Sequence, residues 1–302
     1  LSISVVAPAK DRAVGALITA GVLWGTGGLA GSFLTAQGNL HPLAVAGCRL
    51  LFGGLCAILY LAVTGQLRAV PRGRAVLVRL LVVGVLLAVF QVSYFASVAL
   101  TSVSLATMTT IGSVPVFVAV ATTIRDRRLP APATLAAVVI ALAGLVLLTS
   151  SSDGAAGGGR LFGGLACALA AGAGFAVLTL ANSRPVAGLE PLPTIAFGCL
   201  TGGVLLLPLS LGSVLSADWR PEVVAVALFL AVCPTAVAYA AYFRGLRTAH
   251  PVVAALAALL EPLVAALLAA LLLGERLGLT GWCGAALLVG ALGVASVRQQ
   301  RG

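Results

Sequence analysis

The stretch PVVAALAALLEPLVAALLAALLL, Pro251 to Leu273, holds one charged residue in twenty-three positions. Wound as a helix at 1.5 Å per residue it is about 34 Å long, enough to cross the ~30 Å hydrocarbon layer of a bilayer. Its centre carries Glu261 followed by Pro262. A carboxylate and a helix breaker at mid-bilayer are both costly, so their presence together marks this block for attention.

Nine more blocks of the same kind surround it. The periodicity and the punctuating prolines predict spans at 13–34, 43–64, 76–98, 103–124, 132–149, 161–182, 193–212, 222–243, 251–273 and 279–297. Composition agrees: 61% of the 302 residues are hydrophobic and only 9% are charged. A soluble domain carries about a quarter charged residues, so this chain cannot cover itself with water-compatible surface. The expectation is an all-α integral membrane protein of ten transmembrane helices. Short loops leave all chemistry inside the membrane, and no cleavable signal is expected, because the first apolar block is long and lacks a small-x-small cleavage pattern.

The net charge of +10 reads as topology. Counting from the amino terminus, Lys10, Arg12, Arg68, Arg72, Arg74, Arg79, Arg125, Arg127, Arg128, Arg184, Arg244, Arg247, Arg298 and Arg301 fall on one side of the membrane. Arg160, Arg220 and Arg276 fall on the other, and Arg49 lies inside the second span. Fourteen against three places both termini in the cytoplasm by the positive-inside rule. Anionic lipid of the bilayer, not nucleic acid, is the expected partner of those cations. Lysine occurs only at Lys10, so no phosphate-binding Gly-rich loop ending in lysine exists, and nucleotide hydrolysis by that route is excluded.

Ser150 to Gly159 is a Ser/Gly/Ala-rich segment at mid-chain. It predicts a first five-helix repeat over 1–149, a linker over 150–160 and a second repeat over 161–302. Pro42-Leu-Ala-Val-Ala-Gly-Cys48 is echoed by Pro193-Thr-Ile-Ala-Phe-Gly-Cys199, and Tyr94-Phe95 before Pro115 by Tyr242-Phe243 before Pro262. Five is odd, so a repeated five-span unit re-enters the membrane inverted, a plan common in secondary transporters with a midplane substrate site.

Trp24-Gly25, Arg49, Pro115, Leu260-Glu261-Pro262 and Leu273-Gly-Glu-Arg-Leu277, in this order, resemble the signatures of the EamA-type drug/metabolite transporter superfamily. The resemblance covers nearly the whole chain. It implies an exporter of small metabolites, amino acids among them, in the bacterial inner (plasma) membrane, and the ten-helix aromatic amino acid exporters of the YddG type are the nearest example. The first half departs from the pattern, carrying Arg125-Asp-Arg-Arg128 where the second has Gly274-Glu-Arg276.

Within the spans, Glu261 is either a proton or substrate-amine site or a hydrogen-bonded packing residue. Arg49 differs from it in depth by only about 4 Å on helix-rise arithmetic. It is read as a structural residue, by an ion pair with Glu261 or by snorkelling outward, or alternatively as a holder of a substrate carboxylate. Trp24, Gln91, Tyr94, Thr107, Thr110, Tyr239 and Tyr242 are the expected lining of a cavity for a small amphipathic molecule, with Thr235 on the same face as the last two. The competing reading is that the hydroxyls bond their own helices and the rings pack. Pro115, Pro234 and Pro262 are mid-span hinges or static bends.

Several patterns are discounted. Gly25-Thr-Gly-Gly28 imitates a dinucleotide fingerprint without a strand, and Gly21 with Gly25 reads as a helix contact, as does Gly27 with Gly31. The six cysteines form no Cys-x-x-Cys pair, and His41 and His250 fall at opposite faces, so neither a metal nor any other cofactor is expected. An intramembrane enzyme lacks a nucleophile with its base, and an assembly protein needs neither a buried charge nor an inverted repeat. The expected function is therefore secondary export of amino acids or related amphipathic compounds, with a small-molecule substrate and protons as candidate coupling ion. Drug or cation efflux on the same fold, or a non-transport structural role, are the alternatives.

Overall fold

The computed structural model describes residues 9–101, 103–127, 131–149, 158–272 and 278–301. Among them there is no strand, and the chain runs as twelve α-helices with a 3-10 turn at Gln66–Ala69 and a π turn at Val232–Val237. In order these are α1 (Ala9–Gly38), α2 (Pro42–Val63), α3 (Arg74–Leu100), α4 (Val103–Asp126), α5 (Pro132–Thr149) and α6 (Gly158–Asn182). They continue with α7 (Pro191–Leu215), α8 (Pro221–Ala231), α9 (Ala238–Leu246), α10 (Pro251–Ala258), α11 (Leu260–Leu272) and α12 (Leu279–Arg301). α8 and α9 are joined through a π turn into one apolar span, as are α10 and α11 through a single residue, giving ten crossings. Eight of the ten are long and apolar enough to span a bilayer throughout, and the described apolar parts of α5 and α12 are shorter.

The helix starts follow from local chemistry. α2, α7, α8 and α10 each carry proline in the first turn, where a missing N–H costs nothing. Before two of them stands a histidine: Nδ1 of His41 accepts from the Leu43 N–H (3.2 Å) and Nδ1 of His250 from the Val252 N–H (3.3 Å). α1 ends at Asn39 in the left-handed region (φ 52°), a conformation asparagine tolerates better than most residues. Of the expected linker, residues 150–157 lie outside the described residues, and Gly158 to Arg160 already belong to α6.

Packing relates the halves in pairs. α2 lies against α7, and α5 against α12. α3 packs on α6 just as the eighth span packs on α1; α4 packs on α6 just as the ninth span packs on α1; α3 packs on α7 as the eighth span does on α2. Exchanging each span with the one five places later thus maps contacts onto contacts. Small residues permit the closest approaches: a Cβ on Gly54 would meet the Leu200 backbone at 2.5 Å, and one on Gly203 would meet Leu51 at 2.5 Å. The division in sequence is therefore not a division in space, because α1 packs chiefly on helices of the second half.

Candidate functional site

The eighth and ninth spans are the two that lose regular helix. Pro234 has no N–H for the Leu230 carbonyl, and the backbone widens into a π turn over Val232–Val237. The freed carbonyl is not left bare: Oγ1 of Thr235 donates to it at 2.8 Å. In the ninth span Pro262 removes the donor for the Ala258 carbonyl, α10 ends there, and α11 restarts at Leu260 with Glu261 in its first turn. The carboxylate therefore stands at the amino end of a half-helix, where free N–H groups and the helix dipole favour negative charge. The four- and seven-residue steps from Glu261 or Ala258 predict one small-residue face through Ala254, Ala258 and Ala265, and the break divides it, since Ala254 and Ala258 lie in α10 and Ala265 in α11.

α1 closes over this break. A Cβ on Gly21 would lie 2.6 Å from the Ala257 carbonyl oxygen, and one on Gly25 would lie 2.5 Å from Val264 and 2.9 Å from the Glu261 carbonyl oxygen. The Gly21/Gly25 contact expected from spacing is present. The Gly27/Gly31 one is not: Gly27 faces Pro234 at ordinary distance, and Gly31 has nothing within 4 Å.

Beside the break runs a chain of rings. Trp24 touches Tyr239 and Tyr242 with centroids 5.1 Å apart, and Phe175 at 5.8 Å. Phe175 in turn meets Tyr242 (5.7 Å) and Phe90 (5.4 Å), and Phe90 stacks on Tyr94 (6.2 Å). Spacings of 5–6 Å with tilted or edge contacts are the favourable aromatic geometries, each worth about 0.5–1.5 kcal/mol beyond area. Two of the hydroxyls tie neighbouring helices: Tyr94 pairs with Thr107 across α3 and α4 (2.7 Å), and Tyr242 with Thr179 across α9 and α6 (2.9 Å). Thr110 also reaches across, donating to the Ala168 carbonyl at 3.2 Å. By contrast Thr26, Ser32 and Thr122 bond carbonyls of their own helices.

Burial sorts the expected lining residues into two groups. Trp24, Gln91, Thr110, Tyr239 and Tyr242 are buried, so in this conformation the inner part of the ring chain is packed shut and lines no open cavity. Arg49, Tyr94, Thr107 and Glu261 retain accessible surface. The direct Arg49–Glu261 ion pair does not form: the two are not within 4 Å, whereas Arg247–Glu190, Arg220–Asp218 and Arg125–Asp126 are. The reason is packing. α2 lies on α7 and the eighth span, whereas α11 lies chiefly on α1, so the two charges stand on helices that do not pack directly on each other. They still act on each other electrostatically, and both act on Tyr94 and Tyr239. The Nε of Arg49, the Nε1 of Trp24 and the Nε2 of Gln91 are buried N–H groups without partners.

Residues 11–150 and again residues 162–297 match the EamA-like transporter family. The chain belongs to that family. Among curated relatives of this EamA-like protein, the uncharacterized transporter YwfM of Bacillus subtilis (strain 168) is 30% identical over 286 residues, covering 94% of each chain. The uncharacterized inner membrane transporter YicL of Salmonella typhimurium (strain LT2) is 26% identical over 290 residues, covering 94% of this chain and 95% of its own. A crystal structure that is 21% identical superposes with a TM-score of 0.79 over 96% of this chain and 98% of that one, a likeness of fold. This is therefore a multi-pass membrane protein of a transporter family.

Two parts of this EamA-like chain escape the sequence reading. Phe175 and Thr179, which hold the ring chain together, sit in α6, one an apolar ring and the other a lone hydroxyl in an apolar span. The repeat could have found the first, since the 151-residue offset relating Pro42 to Pro193 and Cys48 to Cys199 also relates Trp24 to Phe175. The other is a cavity of about 930 Å³ on the amino-terminal side, between α1, α2, α7 and the eighth span, which shares no residue with the expected site. The Gly274-Glu-Arg276 motif lies outside the described residues.

Proposed function

We propose that this protein is a secondary transporter that exports small amphipathic metabolites, foremost amino acids with aromatic or apolar side chains. Alternating access occurs between two inverted five-helix repeats, with both termini in the cytoplasm of a bacterial cell. The observation that carries this reading is that Glu261, at a helix break under Gly25 and beside the Trp24 ring chain, and Arg49, whose Nε is buried without a partner, are opposite charges inside the membrane that form no ion pair with each other. A zwitterion fits between such charges. Its ammonium group goes to Glu261, its carboxylate takes the donors of Arg49, and its side chain lies on Tyr94 and the ring chain below.

The buried rings form the closed side of the pathway, and the two helix breaks are where the second half bends to open it. Of the three candidate hinges, Pro234 and Pro262 take that role, and Pro115, which leaves α4 uninterrupted, does not. Glu261 carries the coupling proton, released and taken up as its surroundings change from closed to open. Counterflow in proteoliposomes, with a panel of amino acids and cationic drugs at imposed pH gradients, tests this. Saturable exchange of apolar amino acids is the expected result, and no exchange of any amino acid overturns it.

A second reading, efflux of organic cations, is favoured by the same carboxylate beside aromatic faces. It requires no guanidinium. Exchange of cationic drugs that Arg49→Ala leaves intact selects it over amino acid export.

A further inference from the structure

The 930 Å³ cavity is built as a charged rim over an apolar shaft. Arg12, Arg244, Arg247 and Glu190 line its mouth, at the first turn of α1, the last turn of α9 and the start of α7. Arg247 is held by Glu190 at 2.8 Å and by the Leu189 carbonyl at 2.9 Å, so the exposed guanidinium of Arg244 sets the charge at the mouth. Below the rim the walls are Cys56, Ala57, Val232, Ala236, Val237 and Ala240. From Arg244 down to Val232 is twelve residues, about 18 Å of helix rise. That is roughly the thickness of one leaflet, half of the ~30 Å hydrocarbon layer. The shaft is also open sideways: Tyr60 and Val237, on its two edges, are 54% and 46% exposed.

A ligand matching this shape has an anionic head at the interface, an aliphatic body one leaflet long, and a lateral route of entry. We propose that the cavity is a binding site for one anionic phospholipid, its phosphate on Arg244 and the rim and one acyl chain in the shaft between α2 and the eighth span. A polar solute entering from water would gain nothing from the alanine and valine walls, whereas an acyl chain buries them. The seat adjoins the π turn at Val232–Val237, so an occupied shaft props the segment that bends. The site stands independently of which substrate the protein moves.

The experiment uses the full chain purified in detergent and titrated with phosphatidylglycerol or with phosphatidylcholine bearing the same acyl chains. Retained lipid is counted by native mass spectrometry and Tm is followed. One phosphatidylglycerol per chain, saturable and accompanied by a rise in Tm, is expected, with phosphatidylcholine markedly weaker. The charge of Arg244 contributes about five-fold to the preference. Arg244→Gln therefore weakens phosphatidylglycerol about five-fold and leaves phosphatidylcholine unchanged, while Arg244→Lys keeps the preference. Val237→Trp, which fills the shaft from an exposed position, blocks both lipids without touching the rim, and serves if the arginine variants fold poorly. Equal retention of the two lipids, retention unchanged in both Arg244→Gln and Val237→Trp, or an equal Tm rise with glycerol phosphate alone overturns the proposal. Displacement of the lipid by an amino acid of the transport panel also overturns it, and makes the cavity a substrate vestibule.

Discussion

The two halves of this transporter carry the same helices in the same packing and treat their prolines differently. In the first half Pro115 sits inside α4, which continues unbroken from Val103 to Asp126. In the second, Pro262 at the corresponding place ends one helix and starts another, and Pro234 opens a π turn in the span before it. A proline alone therefore does not decide a break. The neighbours do: Glu261 precedes Pro262 where Val114 precedes Pro115, and α1 brings Gly21 and Gly25 onto the broken backbone. A carboxylate gains from the free N–H groups of a new helix start and a valine does not. Polarity and irregular backbone thus concentrate in one half, while the other contributes Trp24, Arg49 and Tyr94 as side chains on intact helices.

The largest expected effect tests the proposed placing of a coupling proton on Glu261, in the second half. Glu261→Gln keeps the shape and removes the charge, and transport should fall about ten- to hundredfold, the worth of one charge-assisted hydrogen bond, with loss of any pH-gradient dependence. Arg49→Lys and Arg49→Ala should weaken amino acid exchange while leaving that dependence in place. If Glu261→Gln retains proton coupling, the relay does not run through the broken span.

Second in size is the seam between α1 and the break. Gly25→Ala places a methyl group 2.5 Å from the Val264 side chain and 2.9 Å from the Glu261 carbonyl oxygen, which should cost about 1–3 kcal/mol and lower Tm. Gly31→Ala, on the same helix with open space around it, should change Tm little or raise it. Equal effects of the two would mean that α1 does not hold the break closed.

How much of this was legible depended on the kind of signal. The spans were readable because apolar length and arginine placement are one-dimensional: α2 was expected at 43–64 and runs Pro42–Val63, and α4 at 103–124 and runs Val103–Asp126. Pro191 begins α7 two residues before the expected Pro193, since either proline fits a first turn. Contacts across the halves were not readable. Depth arithmetic placed Arg49 and Glu261 within reach of each other, but lateral position depends on which helices intervene, and no count along one chain supplies that. Hydroxyls show the same limit. Thr110 and Thr122 look alike in sequence, yet one bonds a carbonyl of α6 and the other its own helix.

The third prediction contrasts hydroxyls in the two halves. Thr235→Val strips the Leu230 carbonyl of the donor that replaces the proline N–H, at a fully buried position of the π turn. It should cost about 1–3 kcal/mol, measured as unfolding stability in detergent. Thr122→Val in α4 removes bonds to Val118 and Ala119 carbonyls, which an unbroken helix already satisfies, and should stay within about 0.5 kcal/mol. Comparable losses would show that the π turn does not depend on its hydroxyl.

The smallest effect concerns the two histidine caps. His41 and His250 each accept a helix N–H at Nδ1 with a proline following, so the cap itself is common to both halves. What differs is the setting of His250, where burial first and then Arg125 hold the imidazole below its ordinary value of 6.5, with Asp126 pulling weakly the other way. Protonation turns Nδ1 from acceptor to donor and breaks the cap. Because the folded value lies below the unfolded one, the neutral ring's contribution is fully present above pH 6.5 and is lost as pH falls through 6.5 toward the folded value. Tm measured from pH 7.5 to 5 should therefore decline in the wild type, and His250→Asn, which caps without titrating, should flatten that decline. Arg125→Gln should shrink it by a smaller amount, because burial, the larger cause, remains. A decline that persists unchanged in His250→Asn would place the acid-sensitive group elsewhere in the protein.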